Sequence, residues 1–112
     1  MSVEHRRHTR YTVEIAAEVT VGHETVAAST QNVSEGGAAL TLDVRLDEGA
    51  TFGVTLLLTQ DGIEDPDHEP FESRATVAWV RPAGAQFLAG IAFVDPSPAQ
   101  KARLRAFLAA EG

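Results

Sequence analysis

The stretch TVEIAAEVTV, residues 12–21, alternates cleanly: Val13, Ile15, Ala17, Val19 and Val21 fall on one face, Thr12, Glu14, Glu18 and Thr20 on the other. A period of two with β-branched residues predicts a strand, beginning at Tyr11, with one face buried. GHE at 22–24 reads as a tight turn, and TVAASTQNV at 25–33 as the returning strand. SEGG at 34–37 then breaks the pattern, because adjacent glycines weaken a strand and admit positive φ.

Working outward, AALTL (38–42) predicts a short third strand with Leu40 and Leu42 on one face. RLDEGA is a turn, and TFGVTLLLTQ (51–60) is a fourth strand whose Leu56, Leu57 and Leu58 imply burial on both faces for part of its length. DGIEDPDHEP (61–70) is a polar loop with two prolines. FESRATVAWVR (71–81) alternates again, with a bulge expected among Phe71, Ala75, Val77 and Trp79. PAGAQ turns, and FLAGIAFV (87–94) is the last strand. DPSPAQKARLRAFLAAEG then changes character: Ser97 suits a helix N-cap, Pro98 the first helical position, and Gly112 closes the segment. Ala99, Ala102, Leu104 or Arg103, Phe107 and Leu108 give a modest amphipathic stripe. About six strands followed by one helix predict a mainly β, small antiparallel barrel, capped or flanked by the helix. The reading is one domain over residues 1–112, with a basic, flexible arm at 1–10, the barrel at 11–94 and the helix at 97–111.

At 112 residues the chain is long enough to bury a single core, and 44% hydrophobic with 22% charged residues is ordinary for a soluble domain. Without cysteine there is no disulfide framework, thiolate nucleophile or cysteine zinc site, which fits a cytoplasmic protein. The charged N-terminus lacks the apolar core of a signal peptide, and no apolar run approaches the 18 or so residues of a membrane span. A net charge of −7 disfavours broad binding to nucleic acid or anionic membrane. The charge is unevenly placed: residues 1–10 balance at +2, whereas 60–72 hold Asp61, Glu64, Asp65, Asp67, Glu69 and Glu72 with no Lys or Arg.

Two short motifs stand out together. Arg6-Arg7-His8-Thr9-Arg10 contains Arg-x-x-x-Arg, and Asn32-Val33-Ser34-Glu35-Gly36-Gly37 reads Asn-x-Ser-x-x-Gly. One predicted hairpin separates them, so a barrel can bring the arm beside the Ser-Gly turn. In this order and on this strand pattern, the chain resembles the PilZ domain family, bacterial receptors for cyclic di-GMP. The resemblance covers the arm, the six strands including AWV and GIAFV, and the closing helix. It implies a PilZ-type six-stranded barrel in which Arg6, Arg7, Arg10, Asn32, Ser34, Gly36 and Gly37 bind cyclic di-GMP. The chemistry of these residues agrees. Guanine presents O6 and N7 side by side, which arginine's planar fork engages bidentately, at about 1–3 kcal/mol per contact in base readout. Arginine also pairs with phosphate and stacks on flat rings. Asn32 and Ser34 offer neutral donors and acceptors, and Gly37 would let backbone approach the ligand without a Cβ. Asn32 stands where the family more often has Asp, and His5 precedes the first arginine.

The resemblance further implies a switch and not an enzyme: a stand-alone receptor, monomer or homodimer, whose arm folds onto the barrel with ligand and signals in trans to an effector protein. Two other readings are a non-nucleotide-binding interaction module of the same family and a small-barrel nucleic-acid binder led by the basic arm. The acidity and the shortage of exposed aromatics oppose the latter. His5 and His8 are three apart, but neither they nor His23 and His68 have carboxylate or cysteine companions at ligand spacing, so no metal site or other cofactor is expected. The acidic residues at 61–67 miss the calcium-loop spacing and read as a solubilising loop. Trp79 and Phe93 are expected in the core.

Overall fold

The computed structural model describes residues 11–58 and 70–111. Among them, six strands precede one helix: β1 (Ala16–Val21), β2 (Glu24–Val33), β3 (Gly37–Leu42), β4 (Thr51–Leu56), β5 (Phe71–Ala83), β6 (Gln86–Val94) and α1 (Pro98–Glu111). The strands pair antiparallel and close into a barrel in the order β1-β2-β3-β6-β5-β4, with β4 returning to β1. The predicted mainly β barrel with a C-terminal helix is therefore the observed architecture. The basic arm at 1–10 and most of the polar loop, with Thr59 and Gln60 of the predicted fourth strand, lie outside the described residues.

Alternation places Ala17 and Val19 inside from β1, Leu40 and Leu42 from β3, Val54 and Leu56 from β4, and Phe71, Ala75 and Val77 from β5. Val13 and Ile15 share that interior, as their period of two predicts, yet β1 starts only at Ala16. The reason lies in β2, whose register to β3 shifts between Thr30 and Asn32. There the buried Thr30 hydroxyl accepts the Ile15 N–H at 2.9 Å and donates to the Val13 carbonyl, while Thr30 N–H donates to Ile15 O at 2.9 Å. One side chain thus replaces part of a ladder. At the far end of β1, Val21 departs from its predicted burial because the strand has by then passed the barrel rim; it is 45% exposed. Leu56 and Leu58 are buried and Leu57 half-buried, close to the two-sided burial expected of that run.

The bulge predicted in the fifth strand falls between Val77 and Trp79, where the pairing to β6 shifts. It turns the Trp79 indole onto the outer surface, half-buried and lying over Gly90, so Trp79 is not a core residue. A Cβ on Gly90 would stand 2.3 Å from the indole, which is why only glycine fits beneath it. Phe93 is half-buried and packs against Phe71, with ring centroids 4.8 Å apart.

Asp95 leaves β6 with φ at 45°, a left-handed conformation that a short polar side chain tolerates best, and redirects the chain into α1. Ser97 caps the helix as predicted: its hydroxyl accepts the Gln100 N–H at 3.2 Å. The stripe is narrower than expected. Leu104, Phe107 and Leu108 are buried in the core, but Ala99 and Ala102 are exposed, since the larger side chains alone fill the barrel end. Each buried one is worth about 1.5–3 kcal/mol. Arg103 donates to the Pro70 carbonyl at 3.2 Å, and Gln100 Oε1 accepts the Glu72 N–H at 2.9 Å, fixing α1 against the start of β5.

Strand direction gives the barrel two unlike ends. The Ser34–Gly36 turn, the starts of β1 and β5 and helix α1 occupy one; the β1–β2 turn, the 43–50 connection and the β5–β6 turn occupy the other.

Candidate functional site at the Asn32–Gly37 turn

The turn between β2 and β3 is built by Ser34. Its hydroxyl accepts the N–H groups of Gly36 and Gly37, both at 3.2 Å, and its backbone N–H donates to Gly37 O at 2.8 Å. A third contact runs from Ser34 Oγ to Gly37 O at 3.3 Å. Serine competes well for local backbone groups, and here that tendency closes the turn. Ser34 is buried, so its hydroxyl shapes the loop from within.

Gly37 has an intramolecular reason to be glycine. A Cβ there would lie 2.1 Å from Ile91 O and 3.3 Å from Ala92 Cα, inside the β3–β6 ladder. Neither Gly36 nor Gly37 adopts positive φ; among the described residues the glycines that do are Gly22, Gly49 and Gly84. The expected positive φ in SEGG is thus replaced by a close backbone approach.

Tyr11 enters the described chain paired with Val33, each N–H donating to the other's carbonyl at 2.9 Å. The root of the Arg-x-x-x-Arg segment is therefore fixed one residue from Ser34. Arg6, Arg7 and Arg10 themselves lie outside the described residues, as do His5, His8 and His68. Asn32, half-buried, is in register with Ala39, which pairs with Gly90, which pairs with Trp79. Directly opposed residues share a face, so Asn32, two small residues and an indole form one row across four strands on the outer surface. The Arg81 guanidinium stacks over that indole, 4.5 Å from the ring centroid. Sequence reading missed Trp79 as a surface group; its signal was Gly90, a glycine inside a strand.

A cleft of 270 Å³ lies between this turn and α1, lined by Gly36, Phe71, Phe93, Leu104 and Lys101 among others. At its edge Arg105 Nε donates to Glu35 Oε1 at 2.7 Å, joining the helix to the turn. Both side chains are substantially exposed, so the link is worth little in stability. Among the described residues no group of three or more His, Asp or Glu side chains could hold a metal ion, and no helix is long and apolar enough to cross a membrane.

The strands thus close a six-stranded antiparallel barrel with a helix at one end and the Asn32–Gly37 turn beside Tyr11. The chain belongs to the PilZ domain family, whose model matches residues 4–110. No curated protein matches it. Among solved structures, the inhibitor of motility MotI/DgrA of Bacillus subtilis is similar with a TM-score of 0.77 and 15% identity, over 96% of this chain and 51% of that one. YcgR from Escherichia coli, in complex with c-di-GMP, gives 0.77 and 18% over 96% and 46%. The PilZ domain of YcgR with c-di-GMP gives 0.76 and 16% over 96% and 92%. At these identities the likeness is one of fold, and the chain spans about half the length of the first two proteins.

Proposed function

We propose that this chain is a cyclic di-GMP receptor of the PilZ family, a switch rather than an enzyme. Arg6 and Arg10 grip guanine and phosphate, with Arg7 assisting. Asn32 meets a base edge, Ser34 and Gly37 hold the turn in shape, and Gly36 contributes its backbone beside the ligand. The observation that carries this reading is the Tyr11–Val33 pairing beside Ser34. From that root Arg10 is one Cα step of about 3.8 Å and Arg6 at most about 18 Å away, so the length of the segment allows both guanidinium groups to reach the turn. Ligand orders the arm against the barrel and changes the surface that an effector protein reads in trans, in the cytoplasm.

A calorimetric titration with cyclic di-GMP tests this, with GTP and cyclic di-AMP as controls. Binding selective for cyclic di-GMP is expected, near micromolar or about −8 kcal/mol, with Arg6→Ala and Arg10→Ala abolishing it while Tm stays within about 2 °C. Absence of binding at about 100 μM, or full affinity in both variants, refutes the assignment.

A further inference from the structure

The opposite end of the barrel carries a second surface that the nucleotide reading does not use. There a cleft of 430 Å³ opens between the β1–β2 hairpin and the 43–50 connection. Val21 and Val44 stand on its walls at 45% and 46% exposure, two of the three large hydrophobic side chains so exposed among the described residues. Half-buried Val26 continues the apolar strip. Single exposed valines are ordinary, but two brought from the end of β1 and from the 43–50 connection onto one cleft make a patch.

The rim is acidic. Glu24 and Asp47 line the cleft together with Arg45 and His23, so the carboxylates outnumber the permanent cation by one. The same connection also carries Asp43 and Glu48, both held in place: Gln86 Nε2 donates to Asp43 Oδ1 at 2.9 Å, and Val80 N–H donates to Glu48 Oε2 at 3.4 Å. The chain as a whole is at −7. A second copy would oppose one acidic rim to another, whereas a cationic partner is drawn to it.

We propose that this cleft docks a basic amphipathic segment of a partner protein. An apolar side chain of the segment seats between Val21 and Val44, and flanking Lys or Arg residues face Glu24 and Asp47. The docking needs no nucleotide, so it stands or falls separately from the receptor reading.

The test uses the ligand-free 112-residue chain and a fluorescein-labelled Leu/Lys amphipathic peptide of roughly 14 residues, four helical turns, read by anisotropy at physiological salt. A Leu/Glu peptide of the same pattern is the control. The Leu/Lys peptide is expected to bind and the Leu/Glu peptide not. The double variant Val21→Asp, Val44→Asp, checked for unchanged Tm, is expected to weaken binding at least tenfold, although it adds two attracting charges. Undiminished binding by that variant would mean generic charge attraction and overturn the proposal. In the unaltered protein, peptide-induced amide shifts are expected at residues 21–26 and 43–50; shifts centred on Asn32–Gly37 would overturn it. Sedimentation showing a dimer that the double variant dissolves would assign the cleft to a second copy, and would also overturn it.

Discussion

Replacing Gly37 by alanine separates two accounts of the same residue. If the glycine serves only to admit ligand, the substitution leaves the empty protein as stable as before. The structure says otherwise. The new Cβ would lie 2.1 Å from Ile91 O and 3.2 Å from Ile91 C, where an ordinary carbon–oxygen contact is about 3.3 Å. The obstacle is backbone in the Ala38–Ile91 and Gly37–Ala92 pairs and cannot rotate away. β3 must part from β6 at this end, weakening the bonds Phe93 N–H to Gly36 O at 2.9 Å and Ser34 N–H to Gly37 O at 2.8 Å. Two such bonds are worth about 1 kcal/mol each, and overpacking adds about 1 kcal/mol or more, for a total near 3 kcal/mol. At about 4 °C per kcal/mol for a domain of this size, Tm falls by roughly 12 °C. Circular dichroism melting without ligand measures it. A Tm within about 2 °C of the parent would refute the strand-packing account and leave ligand approach as the reason for the glycine.

Three further outcomes follow from the packing. Thr30→Val strands the buried Ile15 N–H and Val13 carbonyl, and should cost about 1–3 kcal/mol in urea unfolding, with faster amide exchange at Ile15. Leu104→Ala empties the helix-capped barrel end at a cost of about 2–5 kcal/mol, whereas Ala102→Ser on the exposed side of α1 should stay within about 0.5 kcal/mol. Arg105→Ala removes an exposed ion pair and should cost no more than about 1 kcal/mol; a loss above about 2 kcal/mol would mean that the pair to Glu35 bears on the fold.

Much of this barrel was legible because a one-sided strand writes its burial as a period of two. Val13 through Val19 announced the interior even where the backbone leaves the ladder, since side-chain alternation survives the loss of one row of hydrogen bonds. Ser97 and Pro98 announced the helix because capping chemistry is local. What the sequence hid depends on residues far apart in it. Trp79 faces outward because a bulge one residue earlier reverses the phase, and the glycine that receives it is on another strand. The Glu35–Arg105 contact spans a separation of 70 residues, and no pattern along the chain marks it. For the candidate site, Asn32, Ser34 and Gly37 stand out through the resemblance their motif carries, but the way Ser34 and Gly37 act does not. Their hydroxyl and missing Cβ are aimed at the protein's own backbone.

The strand order has a consequence for how the molecule is made. β6 follows the other described strands in sequence, yet it lies between β3 and β5. Up to that point the emerging chain can assemble only an open sheet, β3-β2-β1-β4-β5, with two bare edges awaiting the same missing strand. Bare edges recruit other chains, and closure over so long a sequence separation belongs to the slow range of folding, milliseconds to seconds. A chain interrupted before residue 86 would therefore hold not a smaller barrel but an open sheet with two unpaired edges, and β6 is the strand that covers both.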